Sequence, residues 1–402
     1  MRIAKLGPGL VFAASAVGTS HLVQSTRAGA DFGLTFVWVI IAITLLKYPV
    51  FRFAADYAAS TGQSLVTGYA HRGKWLVGLL AVAVLAEGIG AVAGVSLVTA
   101  GIAQSVLGTD LPDKPATVGL LIVTALIVML GRYRVVENIT KVFVAIFSLL
   151  TLVTALSTLP LLFELPSVAE PFTFAASEIQ FAVAVSGWMP IGNVAAFMLA
   201  AWVFARAQTE SVSLADARTD FNIGYFATLL LALCFVLLGT ATLLHSDMVL
   251  PAGSVGFADL LLGVFATISG PWIMWVVGIT ALAVMYSTLL AILDGFPRLL
   301  LDLADHLGVP TDNSYSPYLA MLVMVAAPAL VLTLYLENFA NFIDLITTMA
   351  FLIAPFIALG NHLLITSKEV PAEARPAAWL QGFSWFSIVF LSAAAVGFIY
   401  SQ

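Results

Sequence analysis

Charge is what this sequence has least of. Only 9% of its 402 residues are Asp, Glu, Lys or Arg, where a soluble domain carries about 25%. With 61% apolar residues and a mean hydropathy of +1.04, the apolar surface exceeds what one water-soluble core can hide. Lipid is the solvent implied for most of it. Cysteine is almost absent: the single Cys234 lies in an apolar run, forms no intrachain disulfide and reads as a small packing residue. The sequence lacks a phosphate-cradling Gly loop, a Cys/His zinc spacing and a Ser-His-Asp set. The five histidines (21, 71, 245, 306 and 362) are scattered, and no basic patch suits a nucleic acid. ATP-driven transport by this chain alone, enzymatic chemistry and nucleic-acid binding therefore have no support, and no cofactor is expected.

What is present is long apolar runs, such as LLIVTALIVML and VFVAIFSLLTLVTAL. They are continuous rather than alternating, which favours membrane helices over a β-barrel. The first apolar stretch looks like a signal peptide, but further apolar segments follow at once without a clear cleavage site, so it reads as the first span. Boundaries set by charge, Pro and Gly predict eleven spans, at about 7–30, 34–58, 75–106, 117–132, 137–162, 177–208, 220–245, 270–296, 316–336, 340–366 and 376–400. The Gly-punctuated stretch 251–269 reads as an interfacial loop helix. With the N-terminus cytoplasmic, the inner connections hold 14 of the 16 basic residues, among them Arg2, Lys5, Lys47, Arg52, Arg132, Arg134, Lys141, Arg206 and Arg218. Only Arg27 and Lys114 fall outside, the C-terminus lies outside, and the connection holding Glu164, Glu170 and Glu178 suits an outer loop. A bacterial inner membrane is the expected location.

Two spans look interrupted. The first contains SAVGTSHLVQST, and the sixth contains VSGWMPIGN, where Gly187, Pro190 and Gly192 cluster. Pro removes a backbone donor and Gly lowers helix propensity. Interruptions at the first span of each five-helix half point to an inverted-repeat transporter with its site at mid-membrane. Simple packing kinks are the alternative.

The run GPGLVFAASAVGTSHLVQSTRAGADFGLTFVW, the segments LAEGIGAVAG, GRYRVVENITKVFV and AFLIAPFIALG, and the Met189-Pro190 pair together resemble the NRAMP (natural resistance-associated macrophage protein) family of divalent-metal transporters. The resemblance covers nearly the whole chain. It implies an all-α polytopic membrane protein with a LeuT-type fold. The single transporter domain, 1–402, would comprise one repeat at about 7–162, a second at about 177–366 and an extra helix at about 376–400. It implies a substrate site at Gly18, Thr19, Ser20, His21, Ser186, Met189 and Thr347, with Met189 and His21 as metal ligands and Glu87 lining the pathway.

The chemistry departs from the family pattern. Gly18 stands where the family has a metal-binding Asp, and His21 where it has Asn. Ile191 replaces a His, Val84 replaces an Asp, and Thr347 stands where Gln is frequent. No basic residue lies between 313 and 340, where the family has an Arg network. Met189 remains as the sulfur ligand and Ser186 supplies the carbonyl. A hard ion wants oxygen ligands, preferably carboxylates, while Met with neutral His suits softer ions. Thr19 and Ser20 offer hydroxyls to a partly hydrated ion such as Mg²⁺.

Each of these residues also has a plainer reading. His21 is a ligand or protonatable gate, or a structural imidazole bonded to a loose carbonyl. Met189 is a thioether ligand or apolar filler. Glu87 is an ion relay or a neutral bridge between helices. Arg27 pairs with Asp31 or faces a vestibule. Asp56, Glu137, Asp220, Asp294 and Arg298 are solvated end charges, with Asp220 and Asp294 also candidates for inner-gate pairs. Two functions follow: a transporter of a divalent metal (Mn, Mg or similar) without assured proton coupling, or a transporter of a small polar or anionic organic solute. Its partners are then the lipid bilayer and a small ion or molecule.

Overall fold

The computed structural model describes residues 7–131, 133–169, 171–209, 213–246 and 251–401. Arg2, Lys5, Arg132 and Glu170 lie outside the described residues, as do the side chains of Arg134, Glu137 and Lys141. Among the described residues the structure is almost wholly helical, the exception being an isolated bridge between Gly33 and Ala169.

The helices are α1 (Pro8–Ala16), α2 (Thr26–Phe32), α3 (Thr35–Thr61), α4 (Leu65–Arg72), α5 (Lys74–Leu107), α6 (Asp113–Met129), α7 (Tyr133–Ser157) and α8 (Leu159–Leu162). They continue as α9 (Ala176–Trp188), α10 (Ala195–Thr209), α11 (Leu214–Leu243), α12 (Ser254–Ser269), α13 (Ile273–Leu307), α14 (Ser316–Tyr335), α15 (Phe339–Ile365) and α16 (Ala378–Ser401). Among the described residues, eight helices are long and apolar enough to cross a membrane. The expected span at 117–132 is the 17-residue α6, which starts earlier because Pro115 is tolerated in a first turn. The expected span at 270–296 runs on to Leu307, past Pro297. Leu299, Leu300 and Leu307 keep packing on the core beyond the proline, so the helix continues.

Polarity is distributed as lipid requires. Trp38, Leu79, Val82, Ile122, Leu322 and Val389 are exposed, while Lys47, Glu87, His21, Gln24, Asp56 and Asp220 are buried. A charge inside hydrocarbon is costly unless it is paired or faces other protein.

Both halves of the first span lie against α11. Gly29 of α2 meets the Val236 carbonyl so closely that a Cβ would collide with it, and Gly239 meets the Thr26 carbonyl in the same way. Small residues at such a crossing let backbones touch where lipid supplies no hydrophobic drive. At the end bearing the N-terminus, Asp220 of α11 accepts hydrogen bonds from the Gly7 and Gly9 amides at 3.0 and 2.8 Å. A carboxylate there complements the start of α1. Arg206 stands 3.8 Å from the same carboxylate, and Asp56 is held by Arg52 and Arg218 at 2.9 and 3.0 Å. Asp294 pairs with Arg298 one turn on, at 2.7 Å.

Replacing Gly239 with leucine should force α2 off α11. We expect a loss of about 1–3 kcal/mol, the usual cost of overpacking, measured by denaturant unfolding in detergent micelles.

Candidate substrate site between two interrupted helices

The first span leaves α-helical geometry after Ala16. Val17 has ψ of 82°, and a stretch of π-helix over Ser20–Ser25 precedes α2. The sixth span stops at Trp188, runs extended through Met189 and resumes at Ala195. Each interruption strands amides and carbonyls that a continuous helix would pair.

Two charged side chains meet two of those stranded ends. Glu87, from α5, accepts a hydrogen bond from the Val194 amide at the start of α10, 3.0 Å away. Lys47, from α3, donates from Nζ to the Gly187 carbonyl at the end of α9, 2.7 Å away. The lysine is wholly buried, which corrects its assignment to an inner connection. Its sequence neighbours are apolar, and Arg52 is the basic residue five positions on.

A cavity opens between the interruptions, about 630 Å³ when the part continuous with the surroundings is counted. Gly18, Thr19 and Ser20 line it on one side, with Glu87, Trp188 and Gly192 opposite. Apolar wall comes from Val95, Ile191, Met198, Trp202, Ile292 and Phe296. Three side-chain atoms of the wall have no protein hydrogen-bond partner: Thr19 Oγ1, Glu87 Oε2 and Trp188 Nε1. A Cβ at Gly192 would meet Glu87 Oε1, so a larger residue there would push the carboxylate aside.

The expected site residues therefore divide. Gly18, Thr19, Ser20 and Glu87 line the cavity; His21, Ser186, Met189 and Thr347 do not. His21 points to α11: its Nε2–H donates to the Thr228 carbonyl at 3.0 Å, leaving Nδ1 to accept from the Ser20 hydroxyl at 3.0 Å. With both ring nitrogens engaged, the imidazole is a strut between the π-helix and α11 and is not presented as a metal ligand. Met189 is fully buried behind the wall. Thr347 packs its carbonyl against Gly187, and its hydroxyl accepts from Gln24 at 3.2 Å. Among the described residues, no group of three or more His, Cys, Asp or Glu side chains is gathered to hold a metal.

The end away from the N-terminus is clamped. Arg27 of α2 makes two hydrogen bonds to Asp344 of α15, at 2.7 and 2.9 Å. Its guanidinium also lies 4.8 Å from the centroid of the Phe181 ring, and Gln24 donates to Asp344 at 2.9 Å. The partner is thus Asp344 rather than Asp31, and the arginine presents no free charge to a vestibule. Bidentate Arg–carboxylate geometry and a partly desolvated setting make this a strong contact.

The whole chain from residue 9 to residue 401 matches the natural resistance-associated macrophage protein-like (Nramp) family. The chain belongs to that family. It is 29% identical to an uncharacterised protein of Pasteurella multocida, over 100% of this chain and 93% of that one. Among solved structures it is similar to the Eremococcus coleocola manganese transporter in complex with an aromatic bis-isothiourea substituted compound. There the TM-score is 0.71 and the identity 16%, covering 99% of this chain and 86% of that one. It is also similar to MhsT in complex with L-phenylalanine, with a TM-score of 0.63 and 15% identity, covering 98% of each chain. At such identities the likeness establishes the fold. This Nramp-family chain is an integral membrane protein with a LeuT-type helical fold.

Asp344→Asn should loosen the Arg27 clamp. A cysteine placed at Thr347 should then react with a membrane-impermeant thiol reagent at least about tenfold faster than the same cysteine in the protein that keeps Asp344, the factor expected from losing a contact worth about 1.5–3 kcal/mol. His21→Ala should lower stability by about 1–2 kcal/mol through the lost strut, read by denaturant unfolding in micelles.

Proposed function

We propose that this chain is a secondary-type transporter that works by alternating access. The single observation that carries this reading is the cavity between two interrupted helices, walled on the N-terminal side of the breaks and clamped on the other by Arg27 and Asp344. The chain then crosses a bacterial inner membrane eleven times, as two five-helix repeats and an extra helix. With its N-terminus cytoplasmic, the Arg27–Asp344 contact shuts the outer side of the cavity, and opening it would give an outward-facing form.

The cargo this reading favours is a divalent metal ion, Mn, Mg or similar. Family membership supports it, as does the likeness to a protein described as a manganese transporter. In this chain Glu87 is the carboxylate among the described residues of the cavity wall, and Thr19 and Ser20 are the hydroxyl-bearing residues beside Gly18 in it. One carboxylate and two hydroxyls replace few of an ion's waters, so the ion would travel largely hydrated, a habit that suits Mg²⁺. Gly18 leaves room for that water where a side chain would intrude. Ser186, Met189 and Thr347 would act from behind the wall by fixing the shape of the second interruption.

A second reading is favoured by the wall itself. Trp188, Trp202, Phe296, Met198 and Ile292 are surfaces for organic groups, and pockets for small molecules are mostly apolar with a few placed polar atoms. The unpartnered Thr19 and Trp188 donors would meet the polar edge of a small organic solute once a side-chain rotation exposed them.

Proteoliposomes holding a trapped metal-sensitive dye separate the two. We expect Mn²⁺, Mg²⁺ or Zn²⁺ to enter, and Glu87→Gln to slow entry at least about tenfold, the effect of about 1.4 kcal/mol at one charged contact. No entry of any of the three ions into vesicles bearing folded protein would refute the metal reading and leave the organic one. An internal pH dye in the same vesicles reports whether protons move with the cargo.

A further inference from the structure

Lys47 lies about 18 Å from the start of α3 at 1.5 Å per residue, far from either end of the helix. Its side chain is wholly buried, and the bond it makes is to the Gly187 carbonyl. Gly187 is the penultimate residue of α9, so its carbonyl belongs to the set a helix leaves unpaired at its C-terminal end. That end carries negative partial charge, and a cation there is stabilised.

Glu87 does the reverse across the interruption. Its carboxylate takes the Val194 amide at the positive end of α10. The two half-helices are therefore met by opposite charges from two different helices, α3 and α5. The groups facing this pair from neighbouring elements are the Thr347 backbone of α15 against Gly187 and the Asn193 amide, which donates to the Ala350 carbonyl at 2.8 Å. Neither carries charge.

We propose that the carbonyl end of α9 is a binding site for a small monovalent cation, and that the chain fills it with its own ammonium, that of Lys47. The site takes an ammonium-sized ion because a single strong acceptor and a dipole end, without a second carboxylate, suit one positive charge. Held on a side chain, this cation needs no ion from solution to keep the second interruption charge-balanced through the transport cycle. The inference holds for either cargo, since Lys47 is not part of the cavity wall.

The test uses the full chain in detergent micelles, with thermal unfolding as the readout and choline chloride to hold ionic strength constant. Lys47→Ala should unfold about 5 °C or more below the parent, since it strands Glu87 and the Gly187 carbonyl. Methylammonium chloride should raise the variant's midpoint saturably and recover at least half of that loss, while the parent stays flat. A folded Lys47→Ala protein that gains nothing from methylammonium, or a parent that gains as much, overturns the proposal. If Lys47→Ala does not fold, Lys47→Met and the double variant Lys47→Met/Glu87→Gln decide. Removing both charges should restore at least half of what Lys47→Met loses, whereas simply additive losses overturn the charge balance.

Discussion

An interrupted helix inside hydrocarbon is tolerable only where its stranded backbone ends find partners, because lipid offers none. In this chain the second interruption is met by two charged side chains of opposite sign. Lys47 takes a carbonyl at the end of α9, and Glu87 takes an amide at the start of α10. Much else is arranged around that requirement. At 192 glycine lets the Glu87 carboxylate lie against the backbone. The α15 backbone approaches at Gly187 because no side chain keeps it away. The cavity opens where helical backbone is missing, with Glu87 in its wall and one oxygen of that carboxylate buried without a protein partner.

The first interruption is solved differently. Its backbone is drawn to α11 through close glycine contacts and through the His21 bond to the Thr228 carbonyl. Its two ends are secured separately, by Asp220 on the amides at the start of α1 and by Arg27 to Asp344 at the far end. Between those anchors the backbone leaves helical geometry at Val17.

The site was legible only in part, and the reasons differ by residue. Thr19, Ser20 and Glu87 stood out because polar groups inside apolar runs need a wet or polar neighbour, and they do line the cavity. His21 stood out for the same reason, yet its polar neighbour is a carbonyl of α11, 207 positions along the chain. Met189 was picked out by its place before Pro190, but adjacency to an interruption does not fix which way a side chain points. Lys47 was missed because a basic residue five positions from Arg52 looks like part of a charged end. Only the packing of α3 against α9 reveals that one is inside and the other at the rim.

By itself the sequence determined the solvent, the helical class and the two places where helices stop. Those properties follow from local composition: apolar runs too long for water, and Pro and Gly too close together for a continuous helix. The tertiary structure alone decided which polar side chains face the cavity and which serve as struts, and that Arg27 closes on Asp344 and Lys47 on Gly187. Those pairings join residues 140 to 317 positions apart. Local pattern cannot specify them, because they depend on the rotation of each helix about its axis, which is set by packing against its neighbours.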